Sequence, residues 1–252
     1  MMNLTERIQL LNRVAKTTNH DLDGHFVPGE TGRLDLINDL LKDTKYRLNE
    51  IGLCHLYSKL PISKMKGQIT VLSSHVDTVN EITRPFSLEK DEKKLLGTYD
   101  NSITNAAILT LILEGRLPDN VVVAFTGNEE YGMRGAKGLG KYLKNNEINA
   151  HIIVTDVTDR GYKGKNDFSF ENSCNADKWT ADKLKCFENS GYKWKHEDNY
   201  EDDETAEYSQ YRLECFSFCI PVKGEMHSND GVKVRKSTYD KYIEALCMAA
   251  CA

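Results

Sequence analysis

The chain has 252 residues, a length that fits one large α/β domain or two small ones. Lys and Arg number 33 against 38 Asp and Glu, and the resulting charge of −5 argues against nucleic acid or an acidic membrane surface as partner. No apolar run approaches the roughly 20 residues needed to span a bilayer, and residues 1–33 lack the apolar core of a secretory signal, so a cytoplasmic location is expected.

Residues 4–19 carry Ile8, Leu10, Leu11 and Val14 at helical spacing. Gly29-Glu-Thr-Gly32 punctuates, and a second amphipathic helix is expected from about Arg33 to Leu48. Strands are expected at 51–57 and 68–74, a helix at 101–114, and a strand at 121–126 after Leu117-Pro118 stops the helix. Helix 135–145, strand 151–156, helix 177–189, strand 216–222 and a closing helix 237–251 follow. Strands alternating with helices, without internal repeats, predict an α/β fold whose mostly parallel sheet is covered on both faces. The acidic run 197–204 reads as a solvated loop or a helix start. The seven cysteines include no CxxC pair and read as reduced thiols.

Polar residues collect at the ends of these strands. Strand 68–74 runs into His75-Val-Asp77, where His75 can ligate a metal and Asp77 can hold its other ring nitrogen. Asp100 stands directly before a helix, where an N-cap is the simplest role. The run Val121-Val-Val-Ala-Phe-Thr126 delivers Glu129 and Glu130, which repel each other unless a cation lies between them or one is protonated. A metal on one, with the other accepting a proton from a water, satisfies both. Strand 151–156 ends in Asp156, and His227 lies just past strand 216–222. Each case alone has an ordinary explanation. Together they put two histidines and several acids at the carboxyl edge of one sheet, where ligands of open α/β sheets collect. That inventory suits a divalent metal, and two histidines with carboxylates suit zinc. Five ligands exceed one tetrahedral ion, but a bridging carboxylate allows two ions three ligands each.

The ordered set His75-Val-Asp77, Asp100-Asn101, Glu129-Glu130, Asp156-Val-Thr and Met226-His227-Ser228 resembles the co-catalytic dizinc exopeptidases. These include leucyl- and glutamyl-aminopeptidase-like enzymes, tripeptide aminopeptidases, and related zinc carboxypeptidases and deacylases. The resemblance spans about residues 70–230. It implies a three-layer αβα sandwich around a mostly parallel, mixed sheet of the zinc-exopeptidase (phosphorylase/hydrolase-like) type. It further implies two zinc ions, with cobalt or manganese as alternatives. Asp100 resembles the bridging aspartate, followed in the family by an often cis peptide. His75 and Asp156 would complete one ion, and Glu130 and His227 the other. Glu129 resembles the general base, and Asp77 the residue that orients His75.

Some features depart from the family. Thr104 stands where many members have glycine. Residues 78–99 and 157–226 leave little room for the inserted domains of relatives, so one catalytic domain spanning 1–252, without a lid or dimerisation domain, is expected. The upstream Gly-(Thr/Ser)-Asp-Ala segment survives only as Asp203-Glu204-Thr205-Ala206. The expected activity is an aminopeptidase acting on short peptides through a water activated by two zinc ions. Asp203 and Glu204 are candidates for a rim that attracts an α-ammonium group, although solvation is the usual state of loop acids. The alternatives are a carboxypeptidase, dipeptidase or N-acyl amino acid deacylase, with Arg134 as the carboxylate clamp, and a non-catalytic metal-binding descendant. Substrate preference and oligomeric state are left open.

Overall fold

The computed structural model describes residues 4–14, 28–175, 178–198 and 203–251. In chain order the elements are α1 (Leu4–Val14), α2 (Pro28–Leu41), β1 (Arg47–Glu50), β2 (Cys54–Ser58), β3 (Ile69–His75), β4 (Ser87–Asp91) and β5 (Lys94–Gly97). Then come α3 (Ser102–Leu113), β6 (Val121–Thr126), α4 (Arg134–Asn145), β7 (Ala150–Thr158), β8 (Phe168–Cys174) and α5 (Lys178–Glu188). The remainder are β9 (Trp194–Glu197), α6 (Glu204–Gln210), β10 (Glu214–Pro221), β11 (Val232–Arg235) and α7 (Lys236–Cys251).

Eight strands form the main sheet in the order β1-β2-β6-β3-β7-β10-β8-β9. Its centre, β6-β3-β7-β10, is parallel; β2 and β8 join this block antiparallel, so the sheet is mixed. Strand β6 shows why the centre is buried on both faces. Val121, Val123 and Phe125 enter one apolar core, while Val122 and Ala124 enter the other, as a period of two requires. Helices α1, α2, α3, α5 and α7 supply the first core, and α4 and α6 the second. Full burial of each such Val or Phe side chain is worth about 1.5–3 kcal/mol. The result is the expected three-layer αβα sandwich. A second, three-stranded sheet, β11-β5-β4, takes β4 and β5 from the chain between Asp77 and Asp100 and β11 from the segment before α7.

Two local expectations change, and a third is untested. Helix α2 begins at Pro28, so Gly29-Glu-Thr-Gly32 forms its first turn, and the chain is back in a strand by Arg47. Proline is well suited to a first helical position, because its missing N–H would have had no partner there. The expected continuation of α1 over residues 15–19 lies outside the described residues. The acidic run divides: residues 199–202 lie outside the description, whereas half-buried Asp203 caps a helix that starts at buried Glu204. All seven cysteines are free thiols, and Cys247 and Cys251 stack on one face of α7 with their sulfurs 3.9 Å apart. No described helix is long and apolar enough to cross a membrane.

Candidate metal centre

The parallel strands β3, β6, β7 and β10 point their carboxyl ends the same way. His75 closes β3, Glu129 and Glu130 follow β6, Asp156 lies near the end of β7, and His227 follows β10. Asp100 precedes α3, and the Asp100–Asn101 peptide is cis. The predicted metal ligands and Glu129 face one cleft, and all of them line it.

Three groups of side chains could each hold a metal ion, with ligand atoms within 4.8 Å of one another: His75/Asp100/Asp156, Asp100/Glu130/His227 and His75/Glu129/Glu130. Asp100 belongs to the first two. Its Oδ1 lies 3.0 Å from His75 Nε2, and its Oδ2 lies 3.4 Å from His227 Nε2. His75 Nε2 is also 3.7 Å from Asp156 Oδ1, and His227 Nε2 is 3.4 Å from Glu130 Oε2. The other ring nitrogen of His75, Nδ1, faces Asp77 Oδ1 at 3.3 Å. Asp77 Oδ2 meanwhile accepts a hydrogen bond from the Glu130 amide at 2.9 Å, joining the loops after β3 and β6.

The loops are held from several sides. Asn128 and Met133 adopt left-handed φ of 61° and 53° around the Glu pair. A Cβ on Gly135 would stand 2.5 Å from the Leu53 carbonyl oxygen and 2.7 Å from Gly127 N, so only glycine lets α4 start this close to the loop. At the start of α3, Asn101 Nδ2 donates to the Thr155 carbonyl at 2.7 Å, and Asn105 Nδ2 to the His75 carbonyl at 3.0 Å. Thr104, in the family's glycine position, is fully buried; its hydroxyl donates to the Asn101 carbonyl at 3.0 Å and meets Ser74 Oγ at 2.9 Å. Here a hydroxyl network fills space that glycine would leave open.

The electrostatics are those of acids in want of a cation. Burial pushes Glu129 upward, with Asp156, Glu130 and Asp77 adding to the rise against His75. Burial likewise raises Glu130, and lifts Asp156 to about 6. Burial works against ionised Asp100 too, but hydrogen bonds from His227 and His75 outweigh it and hold the carboxyl well below the ordinary range. Four carboxylates this close cannot all ionise without a compensating charge. Glu130 Oε1 is moreover buried with no hydrogen-bond partner. An orphaned carboxylate oxygen and further acids beside two imidazoles are the donor set of a divalent cation, so the residues present fit a metal.

The far wall of the cleft comes from residues that the sequence patterns did not single out, among them Arg160, Glu171 and Asn172. The alternation Phe168-Ser-Phe-Glu171 in β8 is a period-two signal that could have revealed this strand. Arg160 Nη1 donates to Glu171 Oε2 at 2.6 Å. Asp203 also lines the cleft, but its carboxylate accepts from Asn172 Nδ2 at 2.6 Å and from the Thr205 amide at 2.8 Å. Glu204 is 1% exposed and accepts from Ser73 Oγ at 2.6 Å behind β3, so it is neither solvated nor part of a rim. Arg134 opens α4 and is not among the described residues lining the cleft.

Solved structures share this architecture. A TET1 peptidase of Pyrococcus horikoshii, described as assembling into a tetrahedron or a large octahedral shell, is 14% identical with a TM-score of 0.68 and 99% of each chain covered. A TET aminopeptidase of a marine-sediment thaumarchaeon is 9% identical, with a TM-score of 0.73 over 98% of this chain and 96% of that one. An aminopeptidase of Desulfurococcus kamchatkensis is 12% identical, with a TM-score of 0.69 over 98% and 93%. At these identities the likeness is one of fold. A search of curated proteins finds no match. Residues 71–250, from the middle of β3 to the last turn of α7, match the model of peptidase family M20/M25/M40, and the chain belongs to that family.

Proposed function

We propose that this peptidase-family hydrolase is a metal-dependent exopeptidase, an aminopeptidase that removes N-terminal residues from short peptides at a centre of two zinc ions. One observation carries the reading: Asp100 presents one carboxylate oxygen to His75 and the other to His227, so two ligand triads share a single residue. In this reading His75, Asp156 and Asp100 hold one ion, and Glu130, His227 and Asp100 the other. Such a pair of ions, when bound, polarises the scissile carbonyl and makes water acidic enough to attack near neutral pH.

The chain's own residues do the rest. Asp77, 3.3 Å from His75 Nδ1, would hold the ring proton on that nitrogen, fixing the tautomer and leaving the Nε2 lone pair toward the ligand site. Glu129, which lines the cleft beside the proposed ligands, would take the proton of the attacking water on a carboxylate oxygen and return it to the departing amine. The cleft supports an N-terminal substrate. Arg160 in its wall is already paired with Glu171, which leaves it poorly placed to clamp a substrate carboxylate, whereas the surplus of acids attracts an α-ammonium group. The reading takes the chain as one catalytic domain without an inserted lid.

Metal analysis combined with a substrate panel tests the proposal. Two zinc equivalents per chain and hydrolysis of aminoacyl-p-nitroanilides, but not of N-acyl amino acids, are expected. The reverse preference makes the chain a deacylase or carboxypeptidase. Full metal loading with no turnover of either class makes it a non-catalytic metal binder.

A further inference from the structure

Helix α2 lies outside the segment matched by the family, yet two of its charged side chains reach into the loops of the metal centre. Arg33 is fully buried. Its Nη1 donates to the carbonyls of Val76 at 2.8 Å and Asp77 at 3.0 Å, and its Nε to the Leu11 carbonyl of α1 at 3.4 Å. Three residues earlier, on the same helix face, Glu30 is 1% exposed and accepts the Asn128 amide through Oε1 at 2.6 Å. Asn128 is the left-handed residue directly before Glu129 and Glu130.

These bonds do not look like ordinary helix packing. Leu34, Ile37 and Leu41 already seat α2 on the core. A buried guanidinium and a buried carboxylate are each costly unless hydrogen-bonded, and each of these two makes a bond to a ligand-bearing loop. Burial lowers the Arg33 guanidinium to about 10, against the pull of Asp77, Asp100, Glu130 and Glu30, so it remains a cation at neutral pH. Asp77 meets His75 on one side and the Glu130 amide on the other. A shift of Arg33 therefore moves the orienting residue of one ligand and the backbone of another.

We propose that Glu30 and Arg33 are positioning residues: a two-point clamp on α2 that sets the spacing between the His75–Asp77 loop and the Asn128–Glu130 loop, and with it the geometry and affinity of the metal centre. The proposal rests on the metal-centre reading above. Arg33→Lys keeps the charge but, with a single donor head, loses the second anchor that Nε makes to Leu11 while Nη1 holds the Val76 and Asp77 carbonyls. Glu30→Ala removes the acceptor for Asn128, whereas Glu30→Gln retains it.

The 252-residue chain and these three variants, stripped of metal and titrated with cobalt(II), provide the test. The readouts are the visible cobalt spectrum, affinity by chelator competition, and kcat and KM on an aminoacyl-p-nitroanilide. Arg33→Lys and Glu30→Ala are expected to weaken cobalt binding about 10–100-fold. They should also alter the visible bands and lower kcat by about 10- to 100-fold, with KM changed less than about twofold. Glu30→Gln should restore most of the spectrum and affinity lost in Glu30→Ala. Folded variants with a lower Tm but unchanged spectrum and affinity overturn the clamp. Should Arg33→Lys not fold, the Glu30 pair, read in the same way, decides. A wild-type chain that binds no cobalt overturns the metal-centre reading and the clamp together, whereas bound cobalt with unaffected variants overturns the clamp alone.

Discussion

Two sets of acids sit at one edge of the sheet, and they are solved in opposite ways. On the β8 and α6 side, Glu171 is bonded by Arg160, and Asp203 by Asn172, Ser217 and the Thr205 amide. Glu204, buried behind β3, is the exception within this set: its Oε2 receives Ser73, but its Oε1 has no hydrogen-bond partner. On the β3, β6 and β7 side, Glu130 keeps a buried oxygen with no hydrogen-bond partner, Asp100, Asp156 and Glu130 converge on His75 and His227, and burial raises Glu129, Glu130 and Asp156. A carboxylate met by donors from the chain holds structure together. One left short of donors, but aimed at histidines, is prepared for a cation that the chain does not itself supply.

The sharpest way to break this contrast is within the second set, between ligands and base. Glu129→Gln removes the proton acceptor but not a proposed ligand, so turnover should fall by about 10³-fold or more with metal content unchanged. Retained activity in that variant would remove Glu129 from its role. His227→Ala should show the converse, the loss of about one of two metal equivalents by elemental analysis, since its triad falls to two protein ligands. Unchanged stoichiometry would count against the shared-aspartate arrangement.

Smaller effects should appear in the first set. Burial lifts Glu204 to about 7 from 4.5, against the hydrogen bond from Ser73. An acid whose folded pKa is raised binds its proton more tightly in the native state. The stability this contributes is present below about pH 4.5 and lost as pH rises through about 7, on the order of 3 kcal/mol in all. Glu204→Gln, a permanent mimic of the neutral acid, should flatten that part of the stability profile measured by urea unfolding. A slope equal to that of the wild type would mean the group stays ionised. The smallest change is Asp203→Ala, which removes the cap of α6 and should cost about 1–2 kcal/mol with metal content intact. Metal loss in this variant would place Asp203 with the second set.

The legibility of the two sets differs for the same reason that their chemistry does. Strands β3, β6, β7 and β10 could be read because strands buried on both faces are continuous apolar runs, and their first polar residues fall at the sheet edge. His75, Glu129, Glu130, Asp156 and His227 are therefore visible as a group, and Asp100 joins them from its place before an apolar helix. Strands β4, β5 and β9 were not, since short strands with exposed faces mix polar and apolar residues. The punctuation expected at Gly29–Gly32 failed because a proline just upstream starts a helix as readily as it ends one.

By itself the sequence determined which side chains are available at the carboxyl edge, because period and polarity are local properties of a strand and its first turn. Only the tertiary structure decided which acids are satisfied. Ser73 lies 131 residues from Glu204 and Asn128 lies 98 from Glu30, and no local pattern marks a donor that distant. Burial and partners are properties of the packed chain. They separate an acid that fastens the fold from one that awaits a metal.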